Sequence, residues 1–216
     1  MAEKLLIIDY GSGNIRSAEK AFAKAAADSG VAIDIHVSCD PDDVKAADRL
    51  VLPGVGAFGD CAKGIQRVDG LWDAIDDTVT NQAKPFFGIC VGMQLMAKEG
   101  LEHGTHQGFG WLDGTVSALT DLGFAKGLKV PHMGWNALDV TTAHPVLADV
   151  RQGDHVYFVH SYAMAGKTLP VLATTDYGGA VTAFVGTGTA VGSQFHPEKS
   201  QAVGLSIIAN FLRWRP

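Results

Sequence analysis

Long apolar runs are missing from this chain of 216 residues, and with them any stretch of membrane-spanning length. The opening Met1-Ala-Glu-Lys-Leu-Leu-Ile-Ile-Asp9 has too short an apolar run for a secretory signal, and an acid follows at once, so no export signal is expected. Cysteine is scarce. The three present, Cys39, Cys61 and Cys90, make no CxxC and no Cys/His ligand spacing, so no metal site is indicated. An odd count in a chain without an export signal fits reduced thiols and a cytoplasmic location. Runs of Lys and Arg are absent and the formal net charge is −6, which argues against a nucleic-acid binder. No linker, repeat or low-complexity tract breaks the sequence, so residues 1–216 are expected to form a single domain.

What is present is an alternation of short apolar runs with helical patterns. Lys4–Asp9, Val31–Val37, Arg49–Leu52 and Pro85–Ile89 read as strands. Ile15–Ser29, ended by Gly30, and Leu71–Lys84 read as helices, and Asp40-Pro41 opens a short one with an N-cap and a first-turn proline. This alternation predicts an α/β fold with a central, largely parallel sheet and helices on both faces. From Trp111 onward the chain turns strand-rich, with expected strands Thr115–Leu119, Ala137–Val140, Val156–Ala163, Pro170–Thr175, Val181–Val185 and Ala190–Gln194. Short connections at Asp176–Gly179 and Gly186–Gly188 make part of this extension antiparallel. Gln201–Trp214 reads as a closing amphipathic helix.

The stretch Lys84-Pro-Phe-Phe-Gly-Ile-Cys-Val-Gly-Met-Gln94 organises the rest. A buried strand runs into an expected helix, Val91–Glu99 closed by Gly100, and Cys90 stands at the join with glycines two positions to either side. That is the form of a nucleophile elbow, in which a Cβ at the flanking positions would strike backbone. The following helix would turn its free N–H groups toward the sulfur. Taken alone, Cys90 also fits a small buried core residue.

Further along, Gln194-Phe-His-Pro-Glu198 offers a histidine to take and return the thiol's proton. Glu198 behind His196 would fix its tautomer, the two sharing a side at strand spacing. Read alone, His-Pro-Glu also fits a surface loop. The Pro53-Gly-Val-Gly-Ala-Phe58 loop, at a strand's carboxyl end, could supply an oxyanion donor from Gly54, Val55 or Gly56 beside the Val91 N–H, or be an ordinary glycine turn. Gly11-Ser-Gly-Asn14 lacks a full GxGxxG, so a structural or interface role is read there instead of nucleotide binding. His103 and His106 lack partners at ligand spacing and read as loop residues.

The pair Gly88-Ile-Cys-Val-Gly-Met-Gln94 and Gln194-Phe-His-Pro-Glu198 resembles the class I, triad-type glutamine amidotransferases. Ile8–Ile15, Leu52–Phe58, Lys129-Val-Pro-His-Met-Gly-Trp-Asn136 and Phe158–Tyr162 are similar, in this order, to the glutaminase subunits of imidazole glycerol phosphate synthase. The resemblance implies a flavodoxin-like glutaminase domain with Cys90 as nucleophile, His196 as base and acid, and Glu198 as its orienter. It implies a heterodimer with a (β/α)8-barrel cyclase subunit that receives the ammonia, in histidine biosynthesis, and an isolated subunit that is nearly silent. No cofactor is expected. Gln94 is expected to contact the substrate, with Ser161 and Tyr162 as a candidate wall. Asn14, His132, Met133, Trp135, Asn136 and Lys199 are candidates for the partner interface, or in part for the core's cover. A subunit serving an anthranilate or GMP type synthase keeps the same chemistry, and a redox-sensing module would use Cys90 without needing Glu198.

Overall fold

The computed structural model describes residues 2–216. In its first half strands and helices alternate: β1 (Glu3–Ile8), α1 (Ile15–Ser29), β2 (Ile33–Ser38), α2 (Pro41–Ala46), β3 (Arg49–Gly54), α3 (Phe58–Gln66), α4 (Leu71–Thr80) and β4 (Phe86–Cys90). A one-turn helix α5 (Val91–Gln94) leads to β5 (Ala97–Gly100), β6 (His106–Gln107), β7 (Leu112–Ala118), β8 (His132–Ala137) and β9 (Asp139–Val140). Then come β10 (His155–His160), β11 (Tyr162–Ala165), β12 (Val171–Asp176), β13 (Ala180–Thr187), β14 (Ala190–Ser193) and the last helix α6 (Gln201–Arg213).

The main sheet has eight strands in the order β2-β1-β3-β4-β14-β13-β12-β9. The first five are mutually parallel, and β13, β12 and β9 add antiparallel pairs at one side. Every residue of β3 and β4 is buried, as a parallel sheet covered on both faces requires. Around Phe87 of β4 stand Phe22 of α1 and Phe211 of α6, with ring centroids 6.4 and 5.2 Å away, and α1 packs against α6. Burying each such ring contributes about 1.5–3 kcal/mol relative to exposure. Arg49 is buried at the start of β3, where its guanidinium donates to Glu3 Oε2 at 3.0 Å and to the Phe211 carbonyl at 3.0 Å. Two smaller sheets, the ribbon β10-β8 and the four-stranded β11-β7-β5-β6, stand beside the main one.

The local signals read from sequence largely act as expected. Gly30 ends α1 at φ +66°, and Asp40 caps α2 by accepting from the Asp42 N–H at 2.9 Å. Five expectations are corrected. Leu71–Lys84 is helical only to Thr80, and α3 is an additional helix that the sequence pattern does not predict. The helix after Cys90 is one turn, because Ala97–Gly100 is drawn into parallel pairing with β7. Val156–Ala163 is two strands broken at Ser161, β10 pairing with β8 and β11 with β7. The Lys129–Asn136 loop and the strand expected at Ala137–Val140 become β8 followed by β9.

Candidate active site

β3 and β4 lie side by side with Gly54 opposite Cys90, so the Gly54 loop and the cysteine meet at one carboxyl edge of the sheet. Cys90 has φ +54° and ψ −108°, a conformation that side chains rarely adopt and that concentrates at functional sites. Both flanking glycines are needed. A Cβ on Gly88 would lie 2.5 Å from the Gly92 carbonyl oxygen, and one on Gly92 would lie 1.8 Å from the Leu52 carbonyl oxygen. The elbow is therefore held by backbone packed against backbone. The one-turn α5 gives the sulfur a weaker dipole than a long helix would.

His196 follows the end of β14. Its backbone is fixed by its N–H to the Tyr157 carbonyl at 2.9 Å and by Ser200 Oγ donating to its carbonyl at 2.6 Å. Pro197–Lys199 then form a 3-10 turn, so Glu198 reaches back from a turn and not from a strand as the spacing suggested. The His196 Nδ1–H donates to Glu198 Oε1 at 2.7 Å, and both side chains are 2% exposed. Nε2 is buried without a hydrogen-bond partner among the described residues, and His196 lines the same cavity as Cys90. Burial works against the imidazolium, but the neighbouring Cys90, and then Glu198, outweigh it and push His196 up to about 10. His196 thus holds a proton beside the Cys90 sulfur, with its Nε2 free of any other hydrogen-bond partner among the described residues.

The cavity is about 460 Å³. Of the expected residues, Val55, Gly56, Cys90, Val91, Gln94, Ser161, Tyr162 and His196 line it, whereas Gly54 lies beneath, against the backbone of Gly92. The Gly54 loop is anchored from behind: Tyr10 Oη donates to the Pro53 carbonyl at 3.0 Å, and Ser12 Oγ and Cys61 Sγ donate to the Val55 carbonyl at 2.6 and 3.3 Å. That assigns the Gly11–Asn14 turn a structural task, and Cys61 one beyond core filling.

The class-I glutamine amidotransferase family matches residues 6–214. A protein of Mesorhizobium japonicum called imidazole glycerol phosphate synthase subunit HisH is 52% identical over 99% of this chain and 100% of its own length. One of the same name from Rhodospirillum rubrum is 54% identical over 99% and 100%. The chain belongs to the HisH family of class-I glutamine amidotransferases. Among solved structures, a protein called a GMP synthase subunit, from Thermoplasma acidophilum, aligns with TM-score 0.70 at 16% identity, covering 99% of this chain and 94% of its own. A further glutamine amidotransferase aligns with TM-score 0.69 at 20% identity, covering 93% and 94%. At such identities the likeness shows the shared fold alone.

Two residues of this amidotransferase's site are given no role by its sequence, one lining the cavity and the other bonded to Cys90. Glu102 lines the cavity and accepts the Phe58 N–H at 2.8 Å. It is a lone acid in a loop, and no motif marks it. Gln194 is buried and donates to Cys90 Sγ at 3.8 Å, while its Oε1 accepts from Gln94 Nε2 at 3.0 Å. Its one signal is its place two residues before His196 at a strand end. Gln94 Nε2 also donates to the Tyr162 carbonyl at 3.0 Å. A carbonyl only accepts, so the amide nitrogen must face it, and both amide hydrogens are then engaged. Gln94 Oε1 is left as an acceptor.

The surface candidates divide. Met133 and Trp135 are 61% and 47% exposed on β8, and Lys199 lies 5.7 Å over the Tyr157 ring, which packs edge-on to Trp135. Asn14 is half-buried at the start of α1. His132 is 2% exposed and bonds inward, so its reading as an interface residue is corrected: strand alternation turns it to the opposite face from Met133. Asn136 follows it inward, donating to the Asp176 carbonyl at 2.9 Å. No helix among the described residues is long and apolar enough to cross a membrane.

Proposed function

We propose that this chain is the glutaminase subunit of imidazole glycerol phosphate synthase and that Cys90, His196 and Glu198 carry out the hydrolysis. The observation that carries the reading is the strained Cys90 elbow sharing one cavity with a buried His196–Glu198 pair. The Cys90 thiolate attacks the side-chain carboxamide carbon of glutamine. The oxyanion so formed takes hydrogen bonds from the Val91 N–H and from an N–H of the Gly54–Gly56 loop. The His196 imidazolium gives its proton to the amide nitrogen, ammonia leaves, and a thioester remains. His196 then deprotonates a water that attacks the thioester, releasing glutamate and returning the sulfur. Glu198 holds Nδ1 throughout and stabilises each imidazolium. At the other end of the substrate, the Glu102 carboxylate and Gln94 Oε1 accept hydrogen bonds from the α-ammonium group, with Ser161 and Tyr162 as the wall.

The whole of 1–216 acts as one domain in the cytoplasm. Its partner is a (β/α)8-barrel cyclase that takes the ammonia and docks over Met133, Trp135 and Lys199 beside Asn14. Val55, Leu101, Leu128 and Val130 are further exposed apolar side chains. Partner docking switches the activity on through the Pro53–Gly56 loop. The Pro53 and Val55 carbonyls are both anchored, so a rotation confined to the Gly54–Val55 peptide preserves those bonds, whereas one at Val55–Gly56 breaks two.

The test co-expresses the chain with its barrel partner and measures glutamate release before and after Cys90→Ala. Loss of turnover with the complex intact is the expected result. A variant that keeps full turnover, or a chain that associates only with a different synthase, overturns the reading.

A further inference from the structure

Beside Tyr162 runs a polar chain to which the hydrolysis steps above give no role, and one member of it, His160, lines the cavity. The Asn136 side chain reaches His132 Nε2 at 3.2 Å, His132 Nδ1 lies 3.0 Å from His160 Nε2, and His160 Nδ1 lies 2.9 Å from the Tyr162 carbonyl oxygen. That same carbonyl accepts from Gln94 Nε2, and Gln94 continues through Gln194 to the Cys90 sulfur. Both histidines are buried.

The direction of this chain is determined at both ends. The Tyr162 carbonyl only accepts, so His160 carries its proton on Nδ1 and presents a bare Nε2. His132 must then donate from Nδ1, which leaves its Nε2 bare. At the far end the Ala137 N–H donates to Asn136 Oδ1 at 2.8 Å, which turns the amide nitrogen of Asn136 toward His132 and supplies the donor that the bare Nε2 requires. One arrangement of protons satisfies every link. A second proton on His160 would set two N–H groups face to face against His132, and one on His132 would do the same against Asn136. Burial acts in the same direction, lowering His132 to about 4 and His160 to about 3. A neutral His160 also places no positive charge beside the His196 imidazolium.

We propose that His160 and His132 are positioning residues for glutamine hydrolysis: as a neutral pair, each protonated on Nδ1, they clamp the Tyr162 carbonyl and through it fix Gln94 against the α-ammonium end of the substrate. The proposal rests on the glutaminase reading. The strand break at Ser161 makes the clamp necessary. β10 and β11 belong to different sheets, and Ser161 and Tyr162, which line the cavity, sit at their junction. The Tyr162 carbonyl is held there by two side chains, His160 from its own segment and Gln94 from α5.

The experiment compares the complex of this chain and its cyclase partner carrying His160→Phe, His160→Asn or no substitution. The Asn amide nitrogen takes the place of Nδ1 and keeps the bond to Tyr162; Phe removes it. The expected result for His160→Phe is a KM for glutamine raised at least about tenfold, the scale of one lost hydrogen bond in a buried network, with kcat within about threefold. His160→Asn restores KM to within about threefold of the unsubstituted value. Labelling of Cys90 by iodoacetamide, which does not use the α-ammonium site, keeps its rate in both. In parallel, nitrogen-15 spectra of the unsubstituted complex report the tautomers directly, whether or not a variant folds, and both rings are expected as Nδ1–H. An unchanged KM in a folded His160→Phe complex, no rescue by Asn, or an Nε2–H tautomer at either ring overturns the proposal. Absence of glutamine hydrolysis in the unsubstituted complex would instead overturn the glutaminase reading.

Discussion

Gly92→Ala tests whether the elbow depends on backbone packing. The added Cβ would lie 1.8 Å from the Leu52 carbonyl oxygen, where real Cβ atoms essentially never come within 3.0 Å, so 3.0 − 1.8 leaves 1.2 Å to be absorbed. No side chain can rotate away, because the obstacle is the backbone of β3. Two residues on, that strand becomes the loop opposite Cys90. The displacement therefore separates the two sides of the pocket from which the proposed oxyanion donors come. Overpacking of this kind costs about 1–3 kcal/mol of stability, and a misplacement near ~1 Å costs about a hundredfold in rate. The assay is steady-state glutaminase activity of the complex, with thermal unfolding of each variant. Ile207→Val is the comparison, a buried residue of α6 outside the cavity lining whose truncation costs about 0.5–1.5 kcal/mol. We expect Gly92→Ala to fold with a lowered melting temperature and to lose about a hundredfold in kcat/KM, while Ile207→Val loses stability alone. A soluble Gly92→Ala complex with unchanged kcat/KM would refute the packing account.

The remaining predictions concern charge. His196 is raised to about 10, so its ring should remain protonated through neutral pH and titrate only in alkaline solution. Cys90→Ala removes the leading upward influence and leaves burial opposed by Glu198 alone, so the midpoint of the His196 NMR titration should move down; a stationary midpoint would show that the sulfur does not act on the ring. Glu102→Gln should raise the KM for glutamine about ten- to a hundredfold, the loss of a charge-assisted hydrogen bond worth about 1.5–3 kcal/mol, with kcat little changed. Equal loss in kcat and an unchanged KM would remove Glu102 from the α-ammonium site.

Much of the fold and site is legible in the sequence because its causes are local. Gly88, Cys90 and Gly92 reveal the elbow within five residues, since only glycine fits where backbones nearly touch. Asp40-Pro41 and Gly30 reveal helix ends for the same reason. Sequence and structure part where distant segments decide. Leu95–Gly100 has helix-forming composition, but the N–H groups of Phe109, Gly110 and Leu112 take the carbonyls of Leu95, Ala97 and Met96. That pairing overrides propensity. α3 is hidden by Gly59 and Gly64, which weaken a helical signal; they are there because His106 and Tyr10 pack where their side chains would be. His132 reads as outward only while its segment reads as a loop, and in a strand the facing of a side chain depends on parity. Glu102 acquires its setting from the fold, and nothing adjacent in sequence announces it, whereas Gln194 has only its place two residues before His196.

The ribbon of β8 and β10 is a single backbone layer thick. Met133 and Trp135 look outward from it, while His132 and His160 are buried on its other side, where His160 lines the cavity. Two paired strands have little rigidity of their own and take their shape from what is packed against them. Under the proposed docking, pressure on Met133 is felt one peptide unit from His132 and, across the strand pair, beside His160, so a message from outside to the cavity wall needs no long route through the core.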